Sequence, residues 1–434
     1  MSSLTLSSIA DINPPVQISG RLSGSDLVSF IPMSDVSDAG HWTIKQSRIL
    51  KTVANGFTVF EEGDVLLAKI TPCMENGKGA HAIGLLGGVG FGSTEFHVLR
   101  AKLGHVQRFV FHLTKWQKFR RAAEARMVGS AGQKRVPREF FNEFCIFNFD
   151  SQEQLKLAQV LDTIDTAIQE TEAIIVKLKA VKRGLLHDLM TRGIDSNGEL
   201  RPPQSEAPNL YKESPLGWIS KEWECVHLEE KLAVLGGKRL PAGHAYADTS
   251  TGFKYLRVTD FIGRRYSADD MLNLSKKTFN VLERYEIKPG QLYISIAGSL
   301  GHVGVHRLSG ADNVRTVLTE NATRLVPMCE LNPEFVAEYM NTEMVQKQVN
   351  LEKGTGGGVP KLALFRIQKF NLAWPSKVEQ DRISQRVLGI EACISVEEFL
   401  LEKMIKQKAG LMDDLLTGLV RFKPTLENAA QGGA

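Results

Sequence analysis

The chain has 434 residues, 43% hydrophobic and 24% charged, with a formal net charge of +4. That length exceeds one ordinary core and calls for two to four domains, and the composition excludes fibrous, low-complexity and disordered classes. Five scattered cysteines, none in CxxC spacing, exclude a disulfide framework and a zinc site and fit a reducing cytoplasm. No stretch approaches 18 apolar residues and the first residues lack a basic n-region, so neither a membrane span nor a signal peptide is expected.

In chain order, Asn13-Pro14-Pro15-Val16 comes first. It shares the Asn-Pro-Pro of adenine-N6 methyltransferases, but Val16 replaces the aromatic residue that stacks on a flipped base. It reads as a turn closing the first strand. Residues 57–70 (FTVFEEGDVLLAKI) read as a turn at Glu62-Gly63-Asp64 feeding a buried strand. A glycine-bearing segment follows (72–84), then Thr94-Glu95 and a helical stretch over 106–127. Residues 115–138 carry eight Lys/Arg against Glu124 alone, which is either a solvated face or a phosphate-facing patch. A glycine-rich loop (129–137) and a strand (144–149) lead into a long helix.

The plan then repeats. Residues 192–223 are polar, proline-bearing and aperiodic, and read as a linker. Residues 287–296 (IKPGQLYISI) reproduce the turn and buried strand around Pro289-Gly290. A glycine segment (297–307), Thr319-Glu320, a helical stretch (333–351), a glycine-rich loop (354–362) and a strand (370–375) precede a second long helix. Residues 153–191 align without gaps on 379–417 at a constant offset of 226, the separation of Glu153 and Glu379. Of the 39 aligned pairs, 13 are identical.

Both helices carry a heptad. The first seam runs through Leu157, Leu161, Ile164, Ile168, Thr171, Ile175, Leu178, Lys182, Leu185 and Leu189. The second runs through Ile383, Val387, Ile390, Ile394, Glu397, Leu401, Met404, Lys408, Leu411 and Leu415. A narrow a/d seam over five heptads is the pattern of a coiled coil, and the polar exceptions fall in the same slots of both. The expected fold is therefore α+β: two mixed α/β domains separated by two long helices that form an antiparallel intrachain coiled coil with an internal pseudo-twofold axis. Lys182 is expected to meet Glu397 across the seam. The expected boundaries are 1–150, helix 151–192, linker 193–222, 223–376, helix 377–420 and tail 421–434.

Catalytic patterns are missing. The glycine runs at 88–92 and 354–358 fit neither GxGxxG nor GxxxxGK[ST]; there is no HExxH, no GxSxG and no nuclease carboxylate set. His187, Asp188 and Asp413-Asp414 lie on the long helices, where such groups are ordinarily solvated. A binding protein without catalytic or metal-ligating residues is the leading reading.

The segments EEGDVLLAKITPCMENGKGA, STEFHVLRA and SPLGWISKEWECVHL, the glycine loop before a closing strand and the Glu-Gln opening each long helix together resemble the DNA-specificity (HsdS) subunit of type I restriction–modification systems. The resemblance spans essentially the whole chain, in the right order in both halves. The first half departs from it in lacking a counterpart of the LGWISKEW lead-in. The resemblance implies a non-catalytic chain whose two target-recognition domains read the halves of a split, asymmetric double-stranded DNA site. It implies two methyltransferase subunits and restriction/motor subunits as partners. S-adenosylmethionine, ATP and Mg are then expected on those partners and no cofactor in this chain. Bidentate and loop residues are the candidates for DNA contact: Asn76, Lys78, Thr94, Glu95, Gln133, Lys134 and Arg135 in the first half, and Ser299, His302, Thr319, Glu320, Asn321 and Lys361 in the second. Lys115, Arg120, Arg121 and Arg126 are candidates for phosphate. The alternatives are the specificity subunit of a type IIB-like system and a stand-alone coiled-coil DNA-binding regulator.

Overall fold

The computed structural model describes residues 3–18, 20, 22–130, 132–261, 268–307, 314–353 and 360–421. They form two units, residues 1–174 with 397–434 and residues 175–396. Both cuts fall inside a long helix, Ser151–Thr191 or Lys377–Leu416, so each unit holds part of both helices rather than one whole helix.

The first unit has two four-stranded sheets. In one, the order is Ala10–Ile12, Phe96–Ala101, Val65–Ala68, Gly79–His81, all antiparallel. In the other it is Gln46–Ile49, Leu27–Ile31, Val89–Gly92, Thr58–Glu61, with the middle two parallel. The turn at Glu62-Gly63-Asp64 forms because Gly63 takes φ +86°, which a side chain disfavours. Asp64 then accepts from the Glu61 amide (2.8 Å) and from Arg100 (2.7 and 2.8 Å). The strand it feeds, Val65–Ala68, is wholly buried. Asn13 ends the strand Ala10–Ile12 at φ +52°, and its side chain accepts from the Val98 amide (2.9 Å). The Asn-Pro-Pro segment thus bends the chain at Asn13 as it leaves the strand.

The second unit repeats this. One sheet runs Leu232–Gly236, Ala322–Pro327, Leu292–Ser295, Val303–Val305. The other runs Tyr246–Ala247, Leu272–Leu274, Phe253–Leu256, Arg315–Leu318, Glu286–Ile287, again with one parallel pair, Phe253–Leu256 beside Arg315–Leu318. Closing ribbons match as well: Ser3–Thr5 pairs with Cys145–Phe147, and Glu224–His227 with Asn371–Trp374.

The duplication extends to single hydrogen bonds. Gln154 donates to the Phe149 carbonyl (2.9 Å) and accepts from the Val106 amide (2.9 Å). Gln380 donates to the Pro375 carbonyl (3.0 Å) and accepts from the Asn332 amide (2.8 Å). Every member of the second set stands 226 positions after its counterpart in the first. Both glutamines are buried, and each ties its long helix to the helical stretch that precedes it. A buried amide with both ends engaged fixes the geometry, because any other arrangement strands a backbone group.

The predicted seam positions of both helices are all buried or half-buried, whereas Leu155, Val176, Val181, Val396 and Phe399, off the seam, are exposed. In the first unit Leu157, Leu161 and Leu415 share one apolar cluster; in the second Leu189, Ile383 and Val387 share another. Thr171 hydrogen-bonds back to the Ala167 carbonyl (2.9 Å), which is how its own helix satisfies a polar seam residue. The expected Lys182–Glu397 pair is replaced. Lys182 Nζ lies 2.6 Å from Glu391 Oε1 in the second unit, and Lys408 pairs with Asp165 in the first. The two pairs are again equivalent at the offset of 226. The acids stand beside the seam, at positions the heptad reading did not include.

The stretch expected as a linker is folded. Residues Tyr211–Ser214 and Gly217–Ser220 form a hairpin that has no counterpart among the described residues of the first unit. Ile194, Ile219 and Trp223 are buried in the same cluster as Leu189. Arg201, 5% exposed, hydrogen-bonds the Glu379 carboxylate and pairs with Glu222. Sparse anchor residues in a polar stretch leave no periodicity to read. Residues 422–434 of the expected tail lie outside the described residues.

Candidate nucleic-acid interface

In both units the Thr-Glu dipeptide sits in the turn that carries the chain from one sheet to the other. Thr94-Glu95 joins Val89–Gly92 to Phe96–Ala101, and Thr319-Glu320 joins Arg315–Leu318 to Ala322–Pro327. A loop from further along the chain pairs beside each turn: Arg135 bridges Ile70 and Lys361 bridges Ala297. Sheet ends joined by short turns are rigid supports for side chains facing outward.

Each glutamate holds an arginine. Glu95 accepts from Arg135 Nε (3.0 Å) and Nη2 (2.8 Å). That hydrogen-bonded pair lowers the carboxyl below its ordinary range and raises the guanidinium. Glu320 accepts from Arg239 Nε (2.8 Å), and its other oxygen accepts from Thr319 Oγ1 (2.9 Å) and the Tyr255 hydroxyl (3.2 Å). Burial works against the Glu320 carboxylate, but these hydrogen bonds outweigh it and keep its pKa low. Arg239 is 79% exposed and Arg135 42%. A guanidinium anchored on one edge keeps its remaining N–H groups in a fixed plane, the geometry that matches carboxylate, phosphate or a guanine edge. The acid recurs and the cation changes source. Lys361, the equivalent of Arg135, is exposed, and Glu320 is served instead by Arg239.

Of the other candidates, Thr94, Gln133, Lys134 and Lys361 are exposed around these turns. Ser299 is exposed, and His302 lies half-buried with its ring 6.1 Å from Phe261. Thr319 is buried, and the Asn321 carbonyl accepts from Ile296 (2.8 Å) and Ala297 (3.3 Å). Asn76 borders a different place, a polar recess of about 320 Å³ lined by His41, Lys115, Asp165 and Lys408. Lys78 donates to the Met33 carbonyl (3.2 Å). The glycine run 354–358 lies outside the described residues.

The basic stretch is divided. Arg121 is exposed, and Arg126 pairs with Glu143 at 2.5 Å. Arg120 is corrected to a structural role: it is 5% exposed and donates to the carbonyls of Thr114, Met74 and Gly77. Lys115 likewise donates to the carbonyls of Asp38 (3.1 Å) and Gly77 (3.0 Å), and burial, with Arg120 and Lys408 nearby, pushes its amine down to about 7. Neither is left to offer a phosphate a free charge. Their positions in the helical stretch gave the charge run but not which residues turn inward.

Sequence reasoning missed Arg239, Tyr255 and Arg257. Arg257 pairs with Asp260 at 2.7 Å. The available signal for Arg239 was the recurrence of Thr-Glu, an acid needing a partner, although nothing local says which loop supplies it. Among the described residues no cluster of His, Cys, Asp or Glu could hold a metal ion, and no helix is long and apolar enough to cross a membrane.

No family model matches the chain. Over 176 residues it is 40% identical to the type I restriction enzyme EcoAI specificity subunit of Escherichia coli, a match covering 38% of this chain and 29% of that protein. Over 276 residues it is 21% identical to the MjaVIII specificity subunit of Methanocaldococcus jannaschii, covering 63% and 61%. These matches take in less than two thirds of the relatives' own lengths. In fold it is similar to a chain solved in a study of complex assembly and conformational transition of the type I restriction–modification system, with a TM-score of 0.57, 15% identity and coverage of 96% and 98%. The type I S subunit from M. genitalium gives 0.54, 13% and 96% of each chain. In sequence and in fold, the chain is similar to HsdS specificity subunits.

Proposed function

We propose that this chain, a relative of the specificity subunits of type I restriction–modification systems, is a non-catalytic DNA-specificity subunit that reads a split, asymmetric site. The observation that carries the reading is the duplicated turn in which Glu95 and Glu320 each anchor a solvent-accessible arginine, half-buried Arg135 and exposed Arg239. Arg135 and Arg239 are the base readers. Each presents an N–H edge for the O6 and N7 of guanine, so each half-site contains at least one G·C pair. Because the loops supplying the arginines differ, the half-sites differ. Thr94, Gln133, Lys134, Lys361 and Arg121 flank them as further base or phosphate contacts.

In this reading the two long helices pair antiparallel as one coiled coil and make the distance between the readers a geometric constant. The paired buried glutamines and the Lys182–Glu391 and Lys408–Asp165 ion pairs support it, since the same contacts are built twice from one repeat. Methyltransferase and restriction/motor subunits supply the chemistry, together with S-adenosylmethionine, ATP and Mg. The test is selection of bound duplexes from a random pool by the chain assembled with a type I methyltransferase subunit. Two short blocks separated by a fixed spacer, each holding a guanine, are the expected outcome. A single continuous site bound by the chain alone favours the regulator.

A further inference from the structure

The two units differ at one equivalent place, and the difference describes a ligand. In the first unit the helical stretch breaks at Trp116, between Gln107–Lys115 and Gln117–Ala125. Trp116 is 3% exposed. Its indole N–H donates to Asp413 Oδ1 on the long helix (2.6 Å), and its ring lies against Phe144 and beneath the Lys118 ammonium. Met412 and Leu416 belong to the same apolar cluster.

At the offset of 226 the second unit has the same break, between Pro333–Met340 and Glu343–Glu352, but Thr342 stands where Trp116 does. His187 replaces Asp413, Met344 replaces Lys118, and Leu186 and Met190 replace Met412 and Leu416. These residues line an open cleft of about 350 Å³. The offset holds here for the backbone too, since Gln154 and Gln380 dock on equivalent amides just upstream. Where one copy keeps an indole of its own, the other keeps the seat.

We propose that this cleft binds a tryptophan side chain carried by a partner polypeptide. The ring lies among Leu186, Met190 and Met344, and methionine thioethers suit an aromatic face. Its N–H points to His187, whose neutral imidazole can accept as Asp413 does in the first unit. The cleft is larger than one indole, leaving room for the flanking backbone. Around its rim Arg183, Glu343 and Lys347 offer charges of both signs to that backbone's neighbours. The site lies on the face where the helical stretch meets the long helix, and it does not depend on the DNA-specificity reading.

The test uses the full chain labelled with ¹³C at its methionine methyls, titrated with N-acetyl-L-tryptophanamide. Saturable shifts of Met190 and Met344 are expected, with a dissociation constant on the order of 1 mM, as befits one side chain. They vanish in the Thr342→Trp/His187→Asp variant, which rebuilds the first unit's arrangement, with unchanged circular dichroism. If that variant does not fold, Leu186→Asp, on the half-buried apolar wall of the cleft, serves, and is expected to weaken the shifts at least threefold. Unmoved Met190 and Met344 resonances up to the solubility limit overturn the proposal. So does an equal response to N-acetyl-L-leucinamide, or shifts that survive the substitutions. Free indole and free L-tryptophan are titrated in parallel. Binding of either more than tenfold tighter than the blocked amide assigns the cleft to a small molecule and overturns the polypeptide occupant.

Discussion

In the first unit Glu153, which opens one long helix, pairs with Arg421, a side chain 56% exposed. In the second, the equivalent Glu379 pairs with Arg201, 5% exposed, and Arg201 also reaches Glu222. One duplicated acid thus serves a surface pair in one copy and a buried pair in the other. The cause is the folded stretch 193–222, whose Arg201 covers Glu379, whereas Glu153 meets Arg421 from the other end of the chain. A duplicated contact keeps its geometry where both partners were duplicated, as with Gln154 and Gln380, and diverges where one partner came from elsewhere.

Substitutions can break this comparison in a graded way. Arg201→Ala leaves the buried Glu379 carboxylate uncompensated and is expected to cost about 3–5 kcal/mol, read by denaturant unfolding of the second unit. Arg421→Ala, at the equivalent acid, should cost under about 1 kcal/mol. Equal losses would mean that the covering stretch does not desolvate Glu379. Gln154→Ala and Gln380→Ala each strand a backbone amide and a carbonyl, and should each cost about 2–3 kcal/mol. Here the comparison predicts equality, and a difference above about 1 kcal/mol, well beyond ordinary context effects, would break it. Lys182→Met and Lys408→Met, at half-buried pairs, should cost about 1–2 kcal/mol each and alike.

A further comparison is titratable. Burial pushes His81 in the first unit and His306 in the second down to about 4, from an ordinary value near 6.5. Both therefore fold neutral. The unfolded chain takes up protons that the folded one refuses, so the stability these residues contribute is full above about pH 6.5 and is lost as pH falls from there towards 4. Each histidine adds a slope of up to about 1.4 kcal/mol per pH unit in that window. Unfolding measured at pH 7 and pH 5 should show it, and His81→Phe or His306→Phe should flatten it by one proton. The smallest expected effect on stability belongs to the readers. Arg135→Ala and Arg239→Ala should leave folding unchanged, yet each should relax sequence preference in one half-site alone, on the order of ten- to a hundredfold at one base pair. A uniform loss across all sequences would make them phosphate contacts.

Much of this was legible in the sequence. The ungapped repeat located both long helices, and heptad spacing marked the face of each that is buried or half-buried. The strand–turn–strand at Glu62-Gly63-Asp64 and its copy at Pro289-Gly290 were readable from turn chemistry. Three things were not. The ion-pair acids Asp165 and Glu391 lie beside the heptad positions, and a heptad says which face of a helix is covered but not where a long lysine reaches. Arg201, Ile219 and Trp223 anchor an aperiodic stretch by isolated side chains. Arg120 and Arg121 are neighbours in a basic run, yet one is buried on carbonyls and the other exposed, a distinction made by tertiary packing and not by charge.

The central claim is that a repeated helix sets the distance between two readers, and inserting residues tests it most directly. One heptad added to each long helix, after Ile174 and after Val396, keeps every seam position in phase and leaves both lysine ion pairs within their own units. Seven residues lengthen a helix by about 10.5 Å, about three base pairs of B-DNA. Duplex selection with the assembled complex should then return the same two half-sites with a spacer about three base pairs longer. An unchanged spacer, or altered half-sites at the old spacing, would contradict the account.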